Sequence, residues 1–105
     1  MPSIESLEKM LGTARDGALL RYSLGVEYAK AGDLTRGVSE LKEALARDPG
    51  YSAAWKALGK TLEQQSLRAE ALQAYRSGIE AARKKGDRQA EKEMTVFARR
   101  LERQA

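Results

Sequence analysis

Cysteine and histidine are both missing from the 105 residues, and proline occurs only twice. Without cysteine there is no disulfide framework, no thiolate nucleophile and no zinc–cysteine site, although such a chain is compatible with any redox compartment. Without histidine the commonest general base and the commonest transition-metal ligand are also gone. No run of apolar residues approaches the ~20 needed to cross a bilayer. Met1-Pro2-Ser3-Ile4-Glu5 has neither the basic start nor the apolar stretch of a secretory signal. The expectation is a cytoplasmic protein with no cofactor, no metal and no membrane partner.

What remains is the material of one soluble globular unit, 42% apolar and 32% charged. A chain of this length buries roughly 65% of its extended surface on folding, enough for an independent core. The net charge of +4 is unevenly placed. Residues 83–105 hold eight Lys or Arg against four Asp or Glu, whereas residues 1–82 hold eleven of each, so the whole excess lies in the last segment.

Between the glycines and prolines at Gly12, Gly17, Gly32, Pro49-Gly50 and Gly86 the chain is rich in Ala, Leu, Glu, Lys and Arg, which are strong helix formers. Apolar residues recur at helical spacing: Leu20, Leu24 and Tyr28; Leu34, Val38, Leu41 and Leu45; Trp55, Leu58 and Leu62; Leu72, Tyr75 and Ile79. Asp33 and Ser66 read as N-caps, because a short side-chain oxygen accepts from the unpaired first amides of a helix. Asp48-Pro49 stops the preceding helix near Arg47, since proline disfavours helical geometry in the residue before it.

Displaced by 34 residues, the sequence lays Leu24-Gly25 on Leu58-Gly59, Gly37 on Ala71, Leu41 on Tyr75 and Ala44 on Gly78, the mark of a stacked helical array. Trp55-x-x-Leu58-Gly59-x-x-Leu62 followed by Ala71-x-x-x-Tyr75-x-x-Gly78 resembles the tetratricopeptide repeat. An earlier copy supplies Leu24-Gly25-x-x-Tyr28, Gly37-x-x-x-Leu41-x-x-Ala44 and Pro49. The resemblance implies an all-α, right-handed α-α superhelix of two helix-turn-helix repeats, over 18–51 and 52–85. Three positions depart from it: Arg21 stands in place of Trp, Leu62 in place of Tyr and Arg83 in place of Pro. Without that proline the fourth hairpin helix is expected to run on to Gly86-Asp87.

Ile4, Leu7 and Leu11 put an apolar stripe on a helix expected over 3–13, and Ala90, Met94, Phe97 and Leu101 do so on one expected over 87–103. Solenoids need such terminal caps with one polar face, so 1–105 is expected to be a single, complete short domain.

No catalytic constellation emerges, and an enzyme is not expected. Glu40 with Glu43 and Glu91 with Glu93 read as solvated surface beside Lys and Arg, and there is no phosphate-cradling glycine loop. The resemblance instead implies a concave face lined by the first helix of each hairpin. That face carries Leu19, Tyr22, Val26 and Lys30 from the first repeat and Ala53, Lys56, Lys60 and Glu63 from the second. If the last helix serves as a third lining helix, one inserted residue aligns Phe97 with Tyr28 and brings Arg88, Lys92 and Arg99 to the same groove. Such a surface suits an acidic peptide or a chain end of a partner protein, because cations make charge-assisted bonds while apolar pockets choose side chains.

Members of the family that hold chaperone tails use a five-residue carboxylate clamp. Here Tyr22 and Val26 replace its first Lys and Asn, Ala57 replaces its second Asn, and only Arg88 and Lys92 fall on basic positions, which argues against a chaperone-tail adaptor. Alternatives are nucleic-acid binding through the basic segment from Arg83 to Arg103, opposed by its interleaved glutamates and its lack of an exposed aromatic, and a structural role as a weak homodimer.

Overall fold

Helix ends in this chain are decided by a few capping bonds. The computed structural model describes residues 3–104, and they form α1 (Ile4–Glu8), α2 (Ala18–Lys30), α3 (Leu34–Arg47), α4 (Ser52–Gln64), α5 (Arg68–Lys85) and α6 (Arg88–Arg103). None of these helices is long and apolar enough to cross a membrane.

The turns after α2, α4 and α5 share one pattern. Gly32, Ser66 and Gly86 adopt φ of 90°, 62° and 74°. The next amide then reaches back over the helix end: Asp33 N donates to Tyr28 O, Leu67 N to Leu62 O and Asp87 N to Ala82 O, each at 2.9 Å. With the bonds Gly32 N to Ala29 O, Ser66 N to Glu63 O and Gly86 N to Arg83 O, these are Schellman ends, which satisfy carbonyls that a helix terminus leaves open. Asp33 and Asp87 follow two of them and cap α3 and α6 by accepting from Arg36 N and Ala90 N. The expected cap at Ser66 is corrected: Ser66 takes the left-handed turn position, and Leu67 stands at the N-cap of α5 with no side-chain capping bond.

The first helix is also shorter than expected. The stripe Ile4, Leu7 and Leu11 predicts a helix to Thr13, yet α1 ends at Glu8 and turns carry the chain on to Gly12 at φ 76°. Local polar bonds win here: Thr13 Oγ1 donates to Met10 O, and the Asp16 carboxylate accepts from Gly12 N at 3.0 Å. The stripe still buries. Leu7 joins Leu20, Leu24 and Tyr28 in one cluster, with Ile4, Met10 and Leu11 packed against it.

Packing then sets the layers. Antiparallel α2/α3 and α4/α5 form the two hairpins, α3 packs on α4, and α5 packs on α6. Across the array α2 touches α4 and α4 touches α6, whereas α3 and α5 do not touch. The row α2, α4, α6 is therefore the inner, closed side and α3, α5 the splayed outer side. A Cβ built at Gly25 would lie 2.6 Å from Leu41 Cγ, one at Gly59 would enter the Tyr75 ring, and one at Gly78 would meet Trp55 Cβ at 2.6 Å and the Met94 sulfur. Leu41, Tyr75 and Met94 are all fully buried. The fifth helix, freed of the family's proline by Arg83, is 18 residues long against 14 for α3.

Where the family carries Trp, Arg21 ties the first turns to the hairpin. Its Nε lies 2.9 Å from Asp16 Oδ1 and its Nη1 2.8 Å from Glu40 Oε1, while Arg47 approaches Asp16 at 3.7 Å. Glu40 is thus a half-buried member of an ion network and not the solvated carboxylate expected. The Arg21 guanidinium, helped by the Gly12 amide, lowers the Asp16 carboxyl from 3.8 to about 2.

Gly59→Ala is expected to destabilise the fold by about 1–3 kcal/mol through overlap with the Tyr75 ring, less up to about 1 kcal/mol of helix propensity, read as a fall in the thermal midpoint. Ser66→Gly relieves a left-handed residue and should stabilise by about 1 kcal/mol, raising that midpoint. The lowered Asp16 group favours the ionised folded state, so its contribution is complete above pH ~4 and lost as pH falls toward ~2. Thermal midpoints of wild type and Asp16→Asn should differ at neutral pH and converge over that interval.

Candidate functional site

The inner row presents two different halves. On α2, Tyr22 is half-buried and its ring lies 5.0 Å from that of Tyr51, the residue at the N-cap of α4. Val26 is half-buried on the same helix, Lys30 at its end pairs with Glu27 at 3.6 Å, and Leu19 is 68% exposed. Tyr22 is also packed against the main core, so its ring is both scaffold and surface. This half is mainly apolar.

Between α4 and α6 the face is polar and ordered by three contacts. Lys56 Nζ lies 3.3 Å from Glu93 Oε1, Lys60 Nζ stands 5.1 Å from the centroid of Phe97, and Arg100 Nη2 lies 2.9 Å from Glu63 Oε1. Arg100 also stands over Phe97, at 5.5 Å. The Phe97 ring is itself set by Tyr75, 5.5 Å away, and Tyr75 donates its hydroxyl to Glu63. Burial, together with that bond to Glu63, pushes the Tyr75 phenol up, so it stays a neutral donor. The chain of contacts Tyr75, Glu63, Arg100 and Phe97 thus connects the glycine-lined core to the surface.

These three contacts share a separation of 37 residues, and this corrects the expected alignment of the last helix. An offset of 35 would bring Arg88, Lys92 and Arg99 toward Lys56 and Lys60. The longer α5 delays α6, and the residues that face α4 are Glu93, Phe97 and Arg100. Arg88, Lys92 and Arg99 line a separate cleft with Arg83, Thr95 and Val96, on the side of α6 away from its buried residues Met94, Ala98 and Leu101. The structure thus keeps Tyr22, Val26, Lys30, Lys56 and Lys60 on the inner row and separates the three cations of α6 from them. Glu93 and Arg100 were legible only as opposite charges that match Lys56 and Glu63 once the sequence is displaced by 37.

Among the described residues no group of three Asp, Glu, His or Cys side chains converges as a metal site. Chemically, the inner row offers cations held over an aromatic ring at one end and an aromatic–aliphatic patch at the other.

No protein-family model matches the chain. It is 50% identical over 100 residues to a TPR repeat-containing protein of Pseudomonas aeruginosa, covering 95% of both chains. A protein of Bordetella parapertussis with a known solution structure superposes with a TM-score of 0.84 at 47% identity, over 99% of this chain and 90% of that one. The TPR2B domain of yeast Sti1, solved in its pHsp70 complex, superposes with a TM-score of 0.88 at 14% identity, over 97% of this chain and 82% of that one, a likeness of fold alone. On the 34-residue register, the glycine-seated hairpins and the identity to a TPR protein over nearly its whole length, the chain belongs to the tetratricopeptide-repeat family.

Proposed function

We propose that the chain is a protein-interaction module that holds an extended, acidic segment of a partner protein along the row α2, α4, α6. The observation that supports this most is the cluster at the α4–α6 seam, where Lys60 and Arg100 both stand over Phe97. Lys60 has no carboxylate partner within salt-bridge distance among the described residues, so its charge is open to a partner carboxylate. A cation above an aromatic face is attracted by the ring, and a charge-assisted bond to a carboxylate is stronger than a neutral one. Tyr22, Val26 and the exposed Leu19 would take apolar side chains of the same segment, the usual division between backbone-anchoring charge and side-chain pockets. Lys56 is shared with Glu93 and would join only by exchanging that partner. Lys30 marks the far end of the row.

The Sti1 domain shares the fold alone, and the carboxylate clamp of the family's chaperone-tail binders is not met here: Tyr22, Val26 and Ala57 occupy positions that it fills with Lys or Asn. The proposed module is therefore an acidic-segment binder of its own specificity, and no reaction is assigned to it.

Titration of the isotope-labelled chain with an acidic peptide of about ten residues ending in a free carboxylate should move the amide signals of Lys60, Phe97 and Arg100. Lys60→Glu should weaken binding roughly tenfold, about 1.4 kcal/mol. Shifts confined to α3 and α5, or equal affinity for the variant, would exclude the reading.

A further inference from the structure

The cations that α6 turns away from the groove occupy a defined place in the array. The 37-residue offset that pairs Lys56 with Glu93, Lys60 with Phe97 and Glu63 with Arg100 can be carried around α4 to the face that holds its hairpin partner. There Trp55 corresponds to Lys92, Leu58 to Thr95, Gly59 to Val96 and Leu62 to Arg99. In α4 this face is buried under α5, with Leu58 and Leu62 4% and 3% exposed and Gly59 in contact with the Tyr75 ring. In α6 the same positions line an open cleft of about 770 Å³ together with Arg83 and Arg88. The outer face of α6 is thus the seat that a second hairpin helix takes elsewhere in this fold, with no described residue of the chain in that seat.

Its chemistry differs from the hairpin seat in two ways. Val96, 59% exposed, stands where the hairpins have a glycine, so a helix laid here is held further off than α5 is from α4. The positions that are apolar in the hairpin seat are cationic here, and Glu91, a carboxylate that lines the cleft with them, is engaged by Arg83. Each glutamate of α6 is drawn to another helix or to its own flank: Glu91 pairs with Arg83 at 3.2 Å, Glu93 with Lys56 at 3.3 Å and Glu102 with Arg76 at 3.1 Å. Arg88, Lys92 and Arg99 have no carboxylate within salt-bridge distance among the described residues. Lys92, Val96 and Arg99 lie at i, i+4 and i+7, one row on a helix, so a cation sits about one turn to either side of an exposed aliphatic side chain.

We propose that this face docks an acidic amphipathic helix of a partner protein. One aliphatic residue of that helix rests on Val96, and carboxylates about one turn before and after it bond Lys92 and Arg99. Charge complementarity commits the occupant to an anion, and the correspondence to the seat that α5 takes on α4 commits it to a helix. A nucleic-acid backbone would gain nothing from Val96, and the cleft has no aromatic side chain on which a base could stack. The surface lies on the far side of α6 from Phe97, so this proposal and the groove reading stand or fall separately.

The test uses the full chain, isotope-labelled, and a synthetic helical peptide of about 16 residues with one leucine flanked by glutamates a turn away on each side. A second peptide carries glutamine at those positions, and a third carries lysine. The glutamate peptide is expected to move the amide signals of Lys92, Thr95, Val96 and Arg99, and the glutamine peptide to bind at least tenfold more weakly. Lys92→Glu with Arg99→Glu, both on exposed side chains, should keep the thermal midpoint, lose affinity for the glutamate peptide by tenfold or more and gain affinity for the lysine peptide. Lys60→Glu should change binding less than twofold. Equal affinity of the charge-reversed chain, shifts at Lys60 and Phe97 instead, or a single-stranded oligonucleotide that moves the α6 amides while the peptide does not, would each overturn the proposal.

Discussion

The array depends on how near one helix backbone can come to the next, and a large side chain lying over a glycine sets that distance. Leu41 rests on Gly25 and Tyr75 on Gly59, 34 residues later, while Met94 and Trp55 close on Gly78. At each of these places a methyl group would collide with an atom that has nowhere to go, because Leu41, Tyr75 and Met94 are fully buried. A close-packed interior carries few voids that could absorb such a shift. Helix propensity opposes glycine in these positions by up to about 1 kcal/mol, and the contact area gained by close approach offsets it. The hairpins, the closed inner row and the splayed outer row all follow from these contacts.

Where the sequence leaves the repeat, the geometry leaves it too. Arg83 permits α5 to extend to Lys85 before Gly86 turns the chain in the left-handed region, and α6 starts later than a strict repeat would place it. Measured from the expected offset of 35, the observed offset of 37 residues turns the helix by a little over half a turn, about 200°. That rotation puts Glu93, Phe97 and Arg100 opposite α4 and turns Arg88, Lys92 and Arg99 outward. The length of α5 therefore decides which charges of α6 face α4 and which face away from it.

Charge here is less a coating than a set of ties. Arg21 joins Asp16 to Glu40 and so couples the turns after α1 to α3. Tyr28 donates to Glu8, and Tyr75 to Glu63, giving two buried rings a polar outlet, as buried tyrosines require. On α6 every glutamate is paired with a cation placed by another part of the fold, with the result that the excess positive charge is concentrated on one face.

The sequence by itself determined the helical class, the hairpin period, the glycine seats, the stop at Asp48-Pro49, the cap at Asp33 and the apolar stripes of both end helices. These are local or strictly periodic properties, so spacing along the chain is enough to carry them. Tertiary structure alone decided the rest. That Ser66 is a left-handed turn and not a cap depends on bonds reaching back to Leu62 and Glu63. That α1 stops at Glu8 depends on Asp16, which takes Gly12 N while Arg21 holds its carboxylate. The composition of the groove depends on the rotation of α6, which is set by the length of the helix before it. A residue's face is a phase, and phase accumulates along the chain, so a small unrecognised insertion leaves the fold legible and moves the site.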